Sequence, residues 1–179
     1  MVKYHVTEIS PKAVQQHAID NFKGGFYCCE ALVNTIIDDF QIDIPKDVID
    51  MVSGMAVGAG KSGCMCGALN GAIMALGMFF GRHEPNGPKD PDSVKCMALT
   101  HELHDWFKVA TAKNAICCRI LTKGFAMAEG EHKAQCHAFT GLAAGKLAEI
   151  LCRELGIKNL DDEPSQGLTE PFLPPNAND

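Results

Sequence analysis

Apolar residues recur at helical spacing through most of the chain. Ser10 and Pro11 supply a cap and a first turn, which predicts a helix that runs to about Phe22. The last long periodic stretch stops at Gly156, a common residue at the C-terminus of a helix. Further helices are predicted at about 26–40, from 45 through 55, from 66, and at about 91–112, 113–124 and 131–155. The pattern therefore predicts an all-α protein, a bundle of about six or seven helices.

Two stretches lack this periodicity. The glycine-rich segment Gly58–Gly63 must be a loop. The final residues, from Asp161 onward, hold four prolines and several acids, which predicts an irregular tail that crosses a partner subunit or stays disordered. The predicted organisation is one helical, cysteine-rich domain over 1–160 and an irregular tail over 161–179.

Composition and charge exclude several classes of protein. The net charge of −6 argues against a nucleic-acid partner, because phosphates require a basic surface. The longest apolar segment, from Ala68 to Phe80, is interrupted by Asn70 and two glycines and falls short of the roughly 20 residues that cross a bilayer. The N-terminus has no apolar stretch of the kind found in signal peptides. We therefore predict a cytoplasmic protein without a membrane partner.

Nine cysteines are an excess for a cytoplasmic chain of 179 residues. A reducing compartment disfavours structural disulfides, and an odd number argues against a fully paired framework. Metal ligation, redox chemistry and simple burial remain as explanations.

The segment 63–71 is the most distinctive local feature. It places Cys66 after a glycine-rich loop and at the start of a helix, where backbone amides and the helix dipole favour a thiolate. Adjacent residues on a helix face different directions, so both members of a cysteine pair cannot easily serve one small site. Cys29 lies on the apolar stripe of its helix and is predicted to be a core residue. Cys28 is therefore the member of this pair that is predicted to bind metal or to be redox-active. Periodicity does not separate Cys117 from Cys118.

These pieces together resemble the C_GCAxxG_C_C family of redox-active proteins. The resemblance rests on Cys28 within 27–33, on the glycine-rich loop leading into 66–71, on the pair Cys118-Arg119, and on Cys136 followed by 143–149. It places the four cysteines of the family at Cys28, Cys66, Cys118 and Cys136. The same kind of domain is similar to the non-haem part of split-Soret cytochrome c, but this chain has no haem attachment motif, so we expect no haem.

The resemblance implies an iron–sulfur protein that works in electron transfer or redox sensing, with no catalytic residue acting on a substrate. Four thiolates are the usual ligands of a [2Fe–2S] or [4Fe–4S] cluster. Because these four are separated by 38, 52 and 18 residues, only the fold can assemble the site. Three neighbouring cysteines are possible additional ligands, namely Cys29, Cys64 and Cys117.

Two other chemistries stay open at this point. Cys64 and Cys66 could form an attacking and resolving pair in a metal-free thiol–disulfide protein. The four cysteines could also bind zinc or copper(I). Small-residue helix faces and the long tail predict a homodimer, and a redox role implies a redox partner protein.

Overall fold

The structure of the chain, a computed structural model, describes residues 2–127 and 129–175. Its α-helices are α1 (Pro11–Lys23), α2 (Cys28–Asp39), α3 (Ala56–Ala59), α4 (Gly67–Phe80), α5 (Pro91–Ala110), α6 (Cys118–Leu121) and α7 (Gly130–Leu155). A 3-10 helix covers Lys46–Met55, and two short strands, β1 (Glu8–Ile9) and β2 (Lys158–Asn159), complete the fold. The predicted all-α architecture with an irregular C-terminal tail is confirmed. No helix among the described residues has the length and apolar character needed to span a bilayer.

The longest helix, α7, lies at the centre of the bundle. Its buried face is lined mainly by small and aliphatic side chains, so α1 can approach closely. A Cβ added at Gly141 would lie 2.8 Å from Cδ1 of Ile19 on α1. On another side of α7, the rings of Phe139 and Phe107 meet edge to face at 6.1 Å, which is a favoured aromatic geometry.

The backbones of α2 and α4 approach each other just as closely. A Cβ at Gly71 on α4 would lie 2.8 Å from the carbonyl oxygen of Cys29 on α2. The rings of Phe40 and Phe79 meet at 5.9 Å further along the same contact. This glycine contact fixes where the first turn of α2 lies relative to the first turn of α4.

The two strands join the beginning of the chain to the end of α7. They pair in parallel, with Glu8 opposite Lys158 and Ile9 opposite Asn159. Just beyond them, the Asp161 carboxylate accepts hydrogen bonds from the Ser10 hydroxyl at 2.9 Å and from the Lys12 amide at 2.7 Å. The first turn of α1 is therefore capped from the far end of the sequence.

The described part of the tail packs on its own chain. The Ser165 amide donates to Glu149 on α7 at 2.8 Å, and the Leu168 amide donates to the carbonyl of Ala110 at 2.9 Å. The prediction that the tail stays disordered is therefore wrong for 161–175, because its backbone finds hydrogen-bond partners on α5 and α7, and its contact with a partner subunit stays a prediction. Residues 176–179 lie outside the described residues.

Helix boundaries agree with the sequence pattern except in two places. The helix predicted at about 113–124 is a single turn, α6, because the amide of Cys66 donates to the carbonyl of Ile116 at 2.8 Å and holds the preceding residues extended. The helix predicted from Pro45 is of the 3-10 type. The glycine-rich segment begins within α3 and continues as a loop, with left-handed residues such as Gly60 and Gly63.

Candidate functional site

Four elements bring the four predicted cysteines to the wall of one cavity of about 480 Å³. Cys28 is the first residue of α2, and Cys66 immediately precedes α4. Cys118 begins α6, and Cys136 lies in the second turn of α7. The fold thus assembles, from positions far apart in the sequence, the set that the family resemblance singled out.

Gly67 is the residue that allows Cys28 to approach the start of α4. A Cβ added there would overlap the Cys28 sulfur and would lie 3.4 Å from the carbonyl oxygen of Met55. Only a residue without a side chain leaves room for the thiol. The glycine that follows Cys66 therefore has a direct steric role in the site.

The loop that follows α3 closes over the same region. A Cβ at Gly58, which has a φ of 68°, would lie 2.6 Å from the amide nitrogen of Cys64, so glycine is required both for conformation and for space. The preceding residue, Val57, adopts a φ of 53° and donates its backbone amide to the Cys28 thiolate. The loop therefore reaches from Cys64 to Cys28.

A second loop, which leads into α6, pairs with this one. The Cys66 amide donates to the Ile116 carbonyl at 2.8 Å, and the Arg119 amide donates to the Gly63 carbonyl at 2.9 Å. Between these two hydrogen bonds, Cys64 and Cys117 form a disulfide with their Cα atoms 4.4 Å apart. The pairing places Cys118 against the same cavity as Cys66.

The four thiols differ in their affinity for a proton. The thiol of Cys29 donates to Cys28 and, with the backbone amides of Val57 and Cys29, lowers the pKa of Cys28 against the opposing effect of burial. The pKa of Cys29 is raised correspondingly, and its sulfur also lies 3.1 Å from the carbonyl oxygen of Val52. Of the four wall cysteines, Cys28 is therefore the one that loses its proton most readily in the metal-free site.

The other three wall cysteines hold their protons. Burial raises the pKa of Cys66 and of Cys118, and the negative charge of Cys28 raises both further. The same two causes raise the pKa of Cys136 to about 12. A cation in the cavity would reverse this balance by displacing the protons.

Two side chains near Cys136 were not predicted from the sequence. Nε2 of His132 lies 3.8 Å from the Cys136 sulfur, and the positive charge of Lys113 lowers the pKa of Cys136. Lys113 donates to the Leu121 carbonyl at 2.8 Å and lies 4.6 Å from the centre of the Phe125 ring. The proximity of His132 to Cys136 could have been predicted, because residues four apart on a helix lie on the same face. The position of Lys113 could not, because a loop brings it to Cys136.

The distances between the cysteine sulfurs distinguish a site for a single zinc ion from a site for a cluster. Zn–S bonds of about 2.3 Å place the sulfurs of a tetrahedral zinc site about 3.8 Å apart. Among the described residues, no three cysteine sulfurs lie within 4.8 Å of one another, and the one group of three metal-ligating side chains that meets this limit is His101, His104 and Asp105. A cluster spreads its thiolate ligands over several irons. The four thiols are therefore more widely spaced than the ligands of a tetrahedral zinc ion, and their chemistry is that of the usual ligands of iron–sulfur clusters.

The remaining cysteines lie outside the cavity wall. Of the three possible additional ligands, Cys29 is fully buried in the core, and Cys64 and Cys117 are bonded to each other. The alternative in which Cys64 pairs with Cys66 is not the pairing in the structure, because the α6 loop brings Cys117 to Cys64 and leaves Cys66 free. Cys96 and Cys152 are free thiols on α5 and α7.

Comparison with known proteins agrees with the resemblance seen in the sequence. A family model described as "Putative redox-active protein (C_GCAxxG_C_C)" matches residues 26–150, more than two thirds of the chain. The matched range contains all four cavity cysteines. No curated protein and no solved structure is significantly similar to the chain.

Proposed function

We propose that this chain, which belongs to the C_GCAxxG_C_C family of redox-active proteins, holds an iron–sulfur cluster on Cys28, Cys66, Cys118 and Cys136. Its role is electron transfer or redox sensing. The observation that supports this proposal is the convergence of these four thiols on one cavity. When bound, the cluster supplies one-electron chemistry at a potential set by its surroundings.

The protein prepares the site electrostatically. The Cys29 thiol and backbone amides stabilise the charge of Cys28 and lower its pKa, so it is the first of the four sulfurs to lose its proton and bind a metal. The other three thiols lose their protons as a cation replaces the hydrogen. The Lys113 ammonium offsets part of the negative charge that then gathers around Cys136.

The cavity also controls exposure to solvent. Its wall is mostly apolar, and includes Phe22, Val57 and Phe139. Apolar surroundings and few nearby water molecules are among the features that tune a cluster's potential. These residues therefore set the redox behaviour of the site without contacting a substrate.

The proposal is tested on protein purified without oxygen. We expect broad visible absorption that bleaches with dithionite, together with matching amounts of iron and acid-labile sulfide. Replacing Cys66 with Ser removes a buried ligand, so absorption and iron should both fall. Cys96→Ser is the matched control, because Cys96 is a free thiol on α5 that does not line the cavity.

Two results contradict the cluster. Full iron and sulfide in the Cys66→Ser, Cys118→Ser and Cys136→Ser variants excludes this ligand set. Colourless protein that binds one zinc and takes up no iron on anaerobic reconstitution identifies the site as a zinc site instead.

A further inference from the structure

The Cys64–Cys117 disulfide links the two loops that carry half of the proposed ligands. Cys64 lies two residues before Cys66, and Cys117 immediately precedes Cys118. The bond joins residues 53 positions apart in the sequence. Any change in the spacing of the two loops therefore changes the spacing of Cys66 and Cys118.

Among the residues that the structure describes, two backbone hydrogen bonds share this connection. They are the Cys66–Ile116 bond at 2.8 Å and the Arg119–Gly63 bond at 2.9 Å, and they flank the disulfide on either side. α6 is a single turn, so it adds little rigidity of its own. The covalent bond is thus the main constraint that holds Cys118 beside Cys66.

The constraint extends to a third ligand through the loop after α3. Gly58 lies so close to Cys64 that a Cβ would come within 2.6 Å of the Cys64 amide nitrogen. The residue before it, Val57, donates its amide to Cys28. Movement of Cys64 is therefore transmitted to the surroundings of Cys28.

A reductant can reach this bond. Cys64 and Cys117 are each only partly buried, and their neighbours Ser62 and Arg119 are exposed. The other seven cysteines are free, so the pair does not belong to a disulfide framework. An isolated disulfide among free thiols is typical of redox-sensing or catalytic pairs.

We propose that Cys64 and Cys117 form a second redox centre, a dithiol–disulfide couple that controls how tightly the four-cysteine site holds its iron. The control of iron binding rests on the proposed function. The existence of the Cys64–Cys117 redox couple does not depend on that function. The reductant is a dithiol of the Cys-x-x-Cys class. Its thiolate attacks one sulfur of the pair and forms a mixed disulfide, and its second thiol then releases the protein. Two electrons and two protons pass to Cys64 and Cys117, and the reductant leaves as a disulfide.

Coupling between the two centres must act in both directions. If the closed disulfide favours iron binding by a given factor, iron must favour the closed disulfide by the same factor. We expect at least a tenfold effect, which for a two-electron couple equals about 30 mV. The potential of the pair is therefore more negative in iron-loaded protein than in metal-free protein.

The couple is tested first on metal-free protein. Wild-type protein is equilibrated with dithiothreitol at set ratios of reduced to oxidised reagent, quenched in acid, denatured and alkylated. Intact mass should change from seven to nine alkylated thiols in one two-electron step, and peptide mapping should assign the change to Cys64 and Cys117. A constant count, or pairing between other cysteines, overturns the proposal.

Control of iron is then tested by release to a chelator. Bathophenanthroline should remove iron at least ten times faster from the Cys64→Ser/Cys117→Ser double variant than from oxidised wild type, and phosphine-reduced wild type should match the double variant. Cys96→Ser should keep the wild-type rate, and circular dichroism checks that the double variant is folded. The potential of the pair, measured with and without iron, gives the coupling at equilibrium independently of the release rates.

The failures of the two proposals are distinguishable. Equal release rates together with equal potentials overturn the coupling, even where iron binds fully. Protein that takes up no iron yet shows the seven-to-nine change contradicts the cluster and supports the couple.

Discussion

Gly67 has no side chain, and the space that this leaves is occupied by the sulfur of Cys28. Replacing it with Ala should destabilise the metal-free fold by about 1–3 kcal/mol, because the new methyl group overlaps the Cys28 sulfur. Iron content after reconstitution should fall as well, because Cys28 is displaced. Urea unfolding and iron analysis measure the two effects.

Gly77 on the same helix is the matched control. A Cβ there meets no atom within 4 Å, so Gly77→Ala should raise the free energy of unfolding by up to about 1 kcal/mol through helix propensity alone. Equal iron loading in the Gly67→Ala and Gly77→Ala variants would show that Gly67 has no role in iron binding.

Proton affinity gives a second prediction for single residues. The pKa of Cys28 lies below its ordinary value and that of Cys136 is about 12. Since only the thiolate reacts with iodoacetamide, lowering the pH from about 9 to 7 should slow labelling of Cys136 roughly tenfold per unit, whereas labelling of Cys28 should slow only as the pH falls through its own, lowered pKa. Pulse labelling of metal-free protein with peptide mass spectrometry measures both rates. Equal rates at neutral pH would contradict the assignment of Cys28 as the more acidic of the two thiols.

Among the elements, the contact between the end of β2 and the start of α1 carries a stability prediction. Asp161→Ala removes two hydrogen bonds to the first turn of α1 and a negative charge near its N-terminus. We expect a loss of about 1–2 kcal/mol in the free energy of unfolding, with faster hydrogen exchange in α1.

Asp162→Ala provides the comparison. Asp162 is adjacent and exposed, so its removal should change stability by less than about 0.5 kcal/mol. If both variants lose the same free energy of unfolding, the effect comes from the change in overall charge and not from the hydrogen bonds that cap α1.

Element boundaries were predictable wherever their cause is local. Ser10 with Pro11 starts α1, and Gly156 follows the last residue of α7, as expected from caps and stops. The length of α6 was not predictable. It is set by the hydrogen bond from Cys66 to Ile116, which joins residues 50 positions apart, and helical periodicity contains no information about that approach.

For the molecule as a whole, a ligand held by α2, α4, α6 and α7 should stabilise all of them together, because the unfolded chain has no such site. Iron at about 100 times its dissociation constant adds about 2.7 kcal/mol, which for a chain of this size raises the melting temperature by roughly 5–10 °C. Calorimetry before and after removal of iron by a chelator measures the shift. Cys118→Ser should abolish it and Cys96→Ser should keep it; a shift that survives Cys118→Ser would place the iron elsewhere.

The sequence predicted the four cavity cysteines through family resemblance and not through spacing. Helical periodicity alone left Cys117 and Cys118 equivalent, because both have apolar helical neighbours. The fold separates them by starting α6 between them, so that Cys118 lines the cavity while Cys117 bonds to Cys64. Predicting that disulfide would have required knowing that two loops meet, because its cysteines are 53 residues apart in the sequence.

The predicted homodimer stays a prediction. The features that suggested it are used within the chain: Gly67 and Gly71 of α4 admit α2, and 161–175 lie on α5 and α7. The redox partner protein likewise stays a prediction.

The order of the cavity cysteines along the chain has a consequence for biosynthesis. Cys28, Cys66 and Cys118 leave the ribosome well before Cys136, which belongs to the last helix. Until α7 has emerged and packed against α1 and α2, the cavity lacks one wall and the nascent chain carries three unshielded thiols. A site that uses all four cysteines is therefore complete only after α7 has been synthesised and packed, and until then the thiols of Cys28, Cys66 and Cys118 are open to oxidation.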